Sequence, residues 1–333
     1  MDLMPSPEQM EIASSAASFL ASSLPIARTR ALIDEVSNVD GPAWAAAAEL
    51  GWFGLGLPEP EGGVGCGLAD EALLFREIGR SLASGPFISS VLGARVASRG
   101  GRPDLAASIL GGARVGLALP AGDPGQFLLL DAVGAEYVLL ASPMEATLLP
   151  VDGLGPLSPV GCIDPTTRLS RVMCERPLPA ITVGAQTDPI AQRASVLVAA
   201  LETGIAEATR DIAAEHAKSR VQFDRPIGVN QAVKHPCADM AVRAELAWAQ
   251  TIFAALAVDE GREDAEFQAL AAQVVAGHAA EQNAGATIQV LGGMGFTFEH
   301  NANLFLKRAY VLGHVLGDER SALSHLITLP AAV

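Results

Sequence analysis

The chain of 333 residues is short of positive charge: 22 Lys and Arg stand against 37 Asp and Glu, a net charge of −15 at neutral pH. That balance argues against nucleic acid and against an anionic membrane surface as partners. It still allows an anionic small molecule held by one well-placed cation. Aromatic residues are also scarce, at 5%, although half the chain is hydrophobic. The core must therefore be built from Ala, Leu, Val and Ile, and Ala-rich runs at helical spacing favour closely packed helices over strands. The four cysteines, Cys66, Cys162, Cys174 and Cys237, form no CxxC pair. Reduced thiols packed as small hydrophobes, in a cytoplasmic protein, are expected. No apolar run of eighteen or more residues is free of polar interruption, so no transmembrane helix is expected. The opening MDLMPSPEQMEIASS lacks a basic region followed by an apolar core, so no secretory signal is expected either. His278, His300 and His314 show no metal-ligand spacing with Cys or Asp, and no metal site is expected.

What is present divides the chain into three stretches. Residues 1–112 read as an all-helical first domain. Ser6 caps a helix with Pro7 in its first turn and Gln9 at the capping-box position. Further helices are expected over 26–36, 42–50, 68–81 and 86–97, with an irregular Gly- and Pro-rich loop over 51–67. The pattern changes at Val115. The segments VGLALP, QFLLLDA, EYVLLAS, ATLLPV and RVMCERP are short, apolar and bounded by turn residues, which indicates strands in a compact β-barrel or sandwich over 113–185. From 186 to 333 the chain reads as a four-helix up-down bundle. Its helices are expected over 189–219, 230–258, 264–291 and 303–316. Gly292 is a C-cap candidate, Gly317 is a break, and Asp318 can cap a last short helix. Pro236 falls inside the second of these helices, where it costs about 3 kcal/mol unless the helix bends. Trp52 and Trp248 are expected as core or interface anchors, and His235 as a packed residue.

The stretch over 220–240, RVQFDRPIGVNQAVKHPCADM, joins the first two bundle helices. Arg220 leaves a helix end beside an aromatic, Phe223, and a Pro-Ile-Gly turn reverses the chain. Asn230 and Gln231 open the next helix with polar side chains facing the loop. Such an arrangement suits a diphosphate, since Arg offers a planar multi-donor fork and the helix start offers free N–H groups.

This stretch resembles the acyl-CoA dehydrogenase family, whose loop reads close to R-x-x-F-G-x-P-I-x-x-x-Q ahead of a helix containing A-D-M. Two further signatures follow the family's order: Gly51-Trp52-Phe53-Gly54-Leu55 through Pro58-Glu59 to Gly62-Gly63-Val64-Gly65, and Gln289-Val290-Leu291-Gly292-Gly293-Met294-Gly295-Phe296. The resemblance implies a mainly α fold with an N-terminal helical domain, a shortened middle β-domain and a C-terminal four-helix bundle. It implies FAD as cofactor. In the family these loops serve the FAD of a neighbouring subunit, so Arg220, Phe223, Asn230 and Gln231 take the first role, and Gln289, Gly292 and Gly293 the second.

The resemblance also exposes what is missing. The reaction needs a carboxylate to take a proton from the carbon next to a thioester. One family position for it lies 23 residues beyond Gly293 and falls on Leu316; the other lies 26 residues before Arg220 and falls on Ala194. Neither side chain accepts a proton. Asp318, Glu319 and Glu202 are nearby acids, but capping accounts for Asp318, and Glu202 is expected to pair with Arg243, Lys234 or Arg308. After Leu119-Pro120 the chain reads AGDPG where the family has Thr-Glu then Gly-Ser-Asp, and the following Trp-containing strand is absent. The expectation is therefore a non-catalytic subunit of a heteromeric acyl-CoA dehydrogenase, as in the paired-chain enzymes of actinobacteria. Its partner, a homologous catalytic subunit in a heterotetramer, would hold most of the acyl-CoA, for example a steroid side-chain thioester. The rivals are a self-sufficient homo-oligomer with a displaced base and a flavin-free scaffold.

Overall fold

The computed structural model describes residues 3–174 and 180–330. Contacts group them into two compact units. One unit takes in residues 23–71 and 84–194; the other takes in residues up to Ser22, Ala72–Ala83 and the chain from Ser195 onward.

Helix α1, Pro7–Ser23, starts with the capping box expected of it: the Ser6 N–H donates to Gln9 Oε1 at 3.0 Å and the Gln9 N–H to Ser6 Oγ at 3.2 Å. The second helix, α2, is shorter than expected, Ile26–Ala31. Helix α3, Gly41–Glu49, is capped by Asp40, whose carboxylate accepts from the Ala43 N–H at 3.0 Å. Helices α4 (Leu68–Ser81) and α5 (Phe87–Arg99) fall where the periodicity placed them, and a further short helix, α6, covers Pro103–Leu110. The few aromatics are concentrated here: Trp44 lies 4.5 Å from Phe53 and 4.8 Å from Phe87, and Trp52 lies 6.3 Å from Phe87. Trp52 is thus a core residue.

Seven strands follow: β1 Val115–Pro120, β2 Gln126–Leu130, β3 Tyr137–Ala141, β4 Glu145–Pro150, β5 Ser158–Val160, β6 Leu169–Met173 and β7 Ile181–Gly184. Residues 175–177 of the segment RVMCERP lie outside the described residues. Instead of a barrel or sandwich the strands form one sheet, in the order β5-β6-β2-β1-β3-β4-β7. The β1–β3 pair is parallel and the rest are antiparallel. The sheet needs no second layer of strands because α5 packs on β1, β3, β4 and β7. Ser89 and Ser90 of α5 bind the first strand directly: Ser89 Oγ donates to the Val115 carbonyl and Ser90 Oγ accepts from the Val115 N–H.

The bundle unit is built on α7 (Ile190–Ser219), α8 (Gln231–Asp259) and α9 (Ala265–Leu291), with a β-hairpin, β8 Val221–Gln222 and β9 Arg225–Pro226, between the first two. Helices α10 (Gly293–Phe296), α11 (Ala302–Leu312) and α12 (Glu319–Leu326) complete it. Buried hydroxyls and amides fix the register. Ser195 Oγ donates to Gln273 Oε1, Asn283 Nδ2 donates to the carbonyls of Ala206 and Met240, and Thr287 Oγ1 donates to the Thr209 carbonyl. Helices α7 and α9 therefore run parallel and α8 antiparallel to both. As a result the end of α7, the start of α8 and the end of α9 share one end of the bundle.

Two glycines let α4 cross α7 at backbone contact. A Cβ on Gly79 would lie 2.1 Å from the Leu201 carbonyl oxygen, and one on Gly204 would lie 2.1 Å from that of Arg76. Beside the crossing, the buried Glu207 carboxylate accepts from Arg76 (Nε, 2.8 Å) and Arg80 (Nη1, 2.9 Å). Arg76 also lies 4.5 Å above the Trp248 ring, so Trp248 anchors this crossing. Helix α8 is long and apolar enough to cross a membrane by length and composition only, a test that the core helix of a bundle also passes. Its Met240, Ala244, Ala247, Ala254 and Ala255 are buried, and it packs along α9, which accounts for its composition. Pro236 lies inside it and leaves the Ala232 carbonyl without its usual i+4 donor.

Candidate functional site

The turn joining β8 to β9 consists of Phe223 and Asp224, with φ of 53° and 62°. Two consecutive left-handed residues are what a two-residue hairpin loop of right-twisted strands requires, and Gly or Asn normally fills them. Asp224 stands where the family pattern has glycine. Phe223 is the less expected occupant: a bulky side chain there is strained, and it is 91% exposed. The hairpin is braced from its base. The Ile227 N–H donates to the Arg220 carbonyl at 2.9 Å, Asn230 Nδ2 donates to the Ile227 carbonyl at 3.1 Å, and Arg225 Nη2 donates to Asn230 Oδ1 at 3.3 Å. Asn230 thus faces the loop as expected, although its side chain makes no capping bond to α8. The Arg220 side chain is exposed and, among the described residues, makes no hydrogen bond or ion pair. Gln231 is exposed at the first turn of α8, and His235, expected to be packed, is exposed too.

At the same end of the bundle, α9 stops at Gly292, whose φ of 63° and ψ of −141° suit only glycine. Its N–H bonds back to the carbonyls of Ile288 and Gln289. Gln289, Gly292 and Gly293 are exposed, and added Cβ atoms on the two glycines would meet nothing within 4 Å. The neighbouring Gly295 is different: a Cβ there would lie 2.8 Å from the Ile288 carbonyl oxygen, so this glycine serves packing. All seven residues expected to serve the cofactor therefore lie at one bundle end. They comprise an unpaired guanidinium, an exposed ring and an unobstructed glycine backbone, which fit a diphosphate approaching from outside the chain.

The two positions at which the family resemblance expects a base are as apolar in space as in sequence. Ala194 is buried in the first turns of α7 and Leu316 is half-buried. Two of the nearby acids are engaged elsewhere. Asp318 caps α12 by accepting from the Ser321 N–H at 2.7 Å, and bonds from Ser321 hold its carboxyl below the usual range. Glu319 meets His278 Nε2 at 2.7 Å. Glu202 is completely buried eight residues along α7 from Ala194, an axial offset of about 12 Å. Its expected partners are elsewhere: Arg243 donates to Asn283 Oδ1, Arg308 to the Ala83 carbonyl, and Lys234 is exposed. Neither Glu202 oxygen has a hydrogen-bond partner, and burial, with the charge of Glu281 added, pushes its carboxyl well above the usual range. Sequence periodicity gave no sign of this, because the broad apolar face of α7 runs across the position. Among the described residues no group of His, Cys, Asp and Glu is arranged to hold a metal.

In the sheet unit, β1 and β2 are joined directly. Residues 121–125 make a tight reversal in which the Ala121 N–H donates to the Gln126 carbonyl, and Pro120 stands opposite Phe127.

The helical N-terminal part, the small sheet and the helical bundle are the three parts of the acyl-CoA dehydrogenase fold. The chain belongs to the acyl-CoA dehydrogenase family: the profile of that family's N-terminal domain matches residues 6–113, and that of its C-terminal domain matches residues 191–324. It is 35% identical to acyl-CoA dehydrogenase FadE34 of Mycobacterium tuberculosis over 90% of this chain, but spans only 44% of that protein. It is 32% identical to acyl-CoA dehydrogenase IpdE2 of the same organism over 97% of this chain and 98% of the relative. Among solved structures, a variant of the Tcur3481–Tcur3483 steroid ACAD aligns with a TM-score of 0.83 at 24% identity, covering 96% of this chain and 97% of that one.

Proposed function

We propose that this chain is one subunit of a heteromeric, cytoplasmic acyl-CoA dehydrogenase, an oxidoreductase in which it completes the FAD site of a homologous catalytic partner. The observation that carries this reading is the outward presentation of Arg220 and Phe223 beside the open Gly292–Gly293 backbone. In this reading Arg220 neutralises the flavin diphosphate, Phe223 shields it from water, and Asn230 holds the hairpin in position. Gln231 and Gln289 supply amides, and Gly292 and Gly293 allow close approach of the backbone. FAD, bound mainly by the partner, supplies the hydride acceptor. The proton is taken by a partner carboxylate, since Ala194 and Leu316 cannot accept it. The direct β1–β2 connection supports placing the ring pocket and most of the acyl-CoA in the partner. Likeness to the steroid ACAD supports a bulky acyl group such as a steroid side chain, and its two-chain name supports a paired assembly, here a heterotetramer with two FAD.

Flavin counting tests this. Co-expressed with a complete partner, the chain is expected to give one FAD per heterodimer by absorbance against chain count. One FAD per chain, with acyl-CoA dehydrogenation by this chain alone, would overturn the proposal in favour of a self-sufficient enzyme.

A further inference from the structure

The β8–β9 hairpin has two unlike faces. Gln222 stands opposite Arg225 and Val221 opposite Pro226, and the Ile227 N–H bond to the Arg220 carbonyl carries the register one residue further. Opposed residues share a face, and successive residues alternate between faces. Arg220, Gln222, Arg225 and Ile227 therefore lie on one face, and Val221 and Pro226 on the other. The bond from Ile227 marks its pair with Arg220 as hydrogen-bonded, so the next pair, Val221 and Pro226, exchanges no N–H bonds and loses nothing by the proline. Arg220 and Arg225 are diagonal neighbours on the polar face. Such positions lie about 7–8 Å apart, close enough for two arginine side chains to converge on one group.

Neither guanidinium is neutralised. Arg220 has no hydrogen bond or ion pair among the described residues. Arg225 is exposed, and its Nη2 donates to Asn230 Oδ1 at 3.3 Å, a long contact to a neutral acceptor. Asn230 is itself pinned by its Nδ2 bond to the Ile227 carbonyl, so Arg225 is steered without being discharged. Asp224 is its chain neighbour, yet among the described residues the two make no ion pair. The local charge runs against that of the chain. Residues 215–235 hold four Lys and Arg against two Asp and Glu, whereas the whole chain holds 22 against 37. Each phosphate of a flavin diphosphate carries a negative charge, and Arg220 alone would match only one of them. A charge taken out of water without a counter-charge is costly. Lys218 and Lys234 are exposed too, but they stand on α7 and α8, outside the hairpin, and lysine lacks the planar fork that suits phosphate.

On the proposed function, in which a partner's FAD is bound at this end, we propose that Arg225 is a second diphosphate-binding residue. Arg220 and Arg225 hold the two phosphates from one face of the hairpin, and Asn230 aims Arg225 at them. The contact to Asn230 is weak enough to be exchanged for a charge-assisted bond to phosphate. Asn230 is then a positioning residue for Arg225 as well as a brace for the turn.

The experiment is flavin retention by the assembled complex on dilution, with the Tm of the isolated chain as the control for folding. Arg225→Gln keeps an amide donor for Asn230 and drops the charge. Flavin affinity is expected to fall about five- to twentyfold with the Tm unchanged. The loss should shrink as salt is raised, because a screened charge is what has been removed. Arg225→Lys keeps the charge without the fork, and should stay within about threefold of the unmodified complex. Lys218→Ala removes the same charge from outside the hairpin and should leave retention unchanged. Retention by Arg225→Gln equal to that of the unmodified complex would overturn the second-cation role. So would an equal loss in Arg225→Lys, or a loss in Lys218→Ala as large as that in Arg225→Gln. If Arg220→Ala still weakens retention in any of these cases, the proposed function stands without Arg225. Unchanged retention in both Arg220→Ala and Arg225→Gln would overturn the proposed function with it.

Discussion

Two short reversals, one in each compact unit, are built in opposite ways. The 121–125 turn between β1 and β2 places glycine where the backbone needs it. Gly122 and Gly125 have φ of 67° and 80°, and a Cβ on Gly125 would lie 2.7 Å from the Cys174 carbonyl oxygen. The reversal between β8 and β9 needs the same left-handed backbone but fills it with Phe223 and Asp224 and exposes the ring. A turn that only reverses the chain would take glycine in both places. On the proposed function, that strain is accepted so that the exposed aromatic can meet something outside the chain. In the proposed reading the first reversal leaves no room for a ring pocket, and the second offers its ring to a partner's flavin.

The largest expected effect tests both at once. Purified without a partner, the chain should be colourless and inactive. Within a complex, Glu→Gln at the partner's base should abolish turnover, whereas Asp318→Asn and Glu319→Gln here should leave it nearly intact. A loss of several orders of magnitude from either of the latter would move the base into this chain. Next in size is Arg220→Ala, which removes one charge-assisted contact. Flavin affinity of the intact complex should fall about ten- to a hundredfold, read by flavin retention on dilution; unchanged retention would sink the assignment. Phe223→Gly separates strain from function. Relief of the left-handed Phe should leave the isolated chain as stable or up to about 1 kcal/mol more stable, while flavin retention in the complex declines. Smallest is Asp224→Gly, for which a stability gain below about 1 kcal/mol and unchanged retention are expected. If Asp224→Gly and Phe223→Gly behave alike in the complex, the contrast between the two residues disappears.

The bundle end was legible in the sequence because its parts are local: a helix, a four-residue strand pair, and a helix stop marked by Gly292. The capping roles of Ser6 and Asp318 were legible for the same reason. The sheet was read only as far as its strands. Its arrangement depends on β1 pairing with both β2 and β3, and on α5 covering one face, neither of which leaves a periodic mark. The Phe-Asp turn carries no Asn-Gly signal, so its sequence pattern is that of a loop rather than a hairpin. The orphaned carboxyl of Glu202 was illegible because whether an acid finds a partner depends on which side chains of α9 and α12 reach it. The expected partners are drawn off by Asn283 and by the Ala83 carbonyl.

The crossing of Gly79 over Leu201 and of Gly204 over Arg76 also bears on how the chain is made. These glycines are 125 positions apart, so α4 leaves the ribosome long before the helix it must lie against exists. Until then its Arg76 and Arg80 lack the Glu207 carboxylate and its small-residue face has no counterpart. A bundle excised at residue 191, the start of the matched C-terminal segment, would face the reverse problem: Leu201, Gly204 and Glu207 would lose their cover to water. The profile boundary is therefore not a folding boundary. Supplying residues 72–83 as a separate peptide should rescue the solubility of such a fragment, and a peptide carrying Gly79→Leu should not.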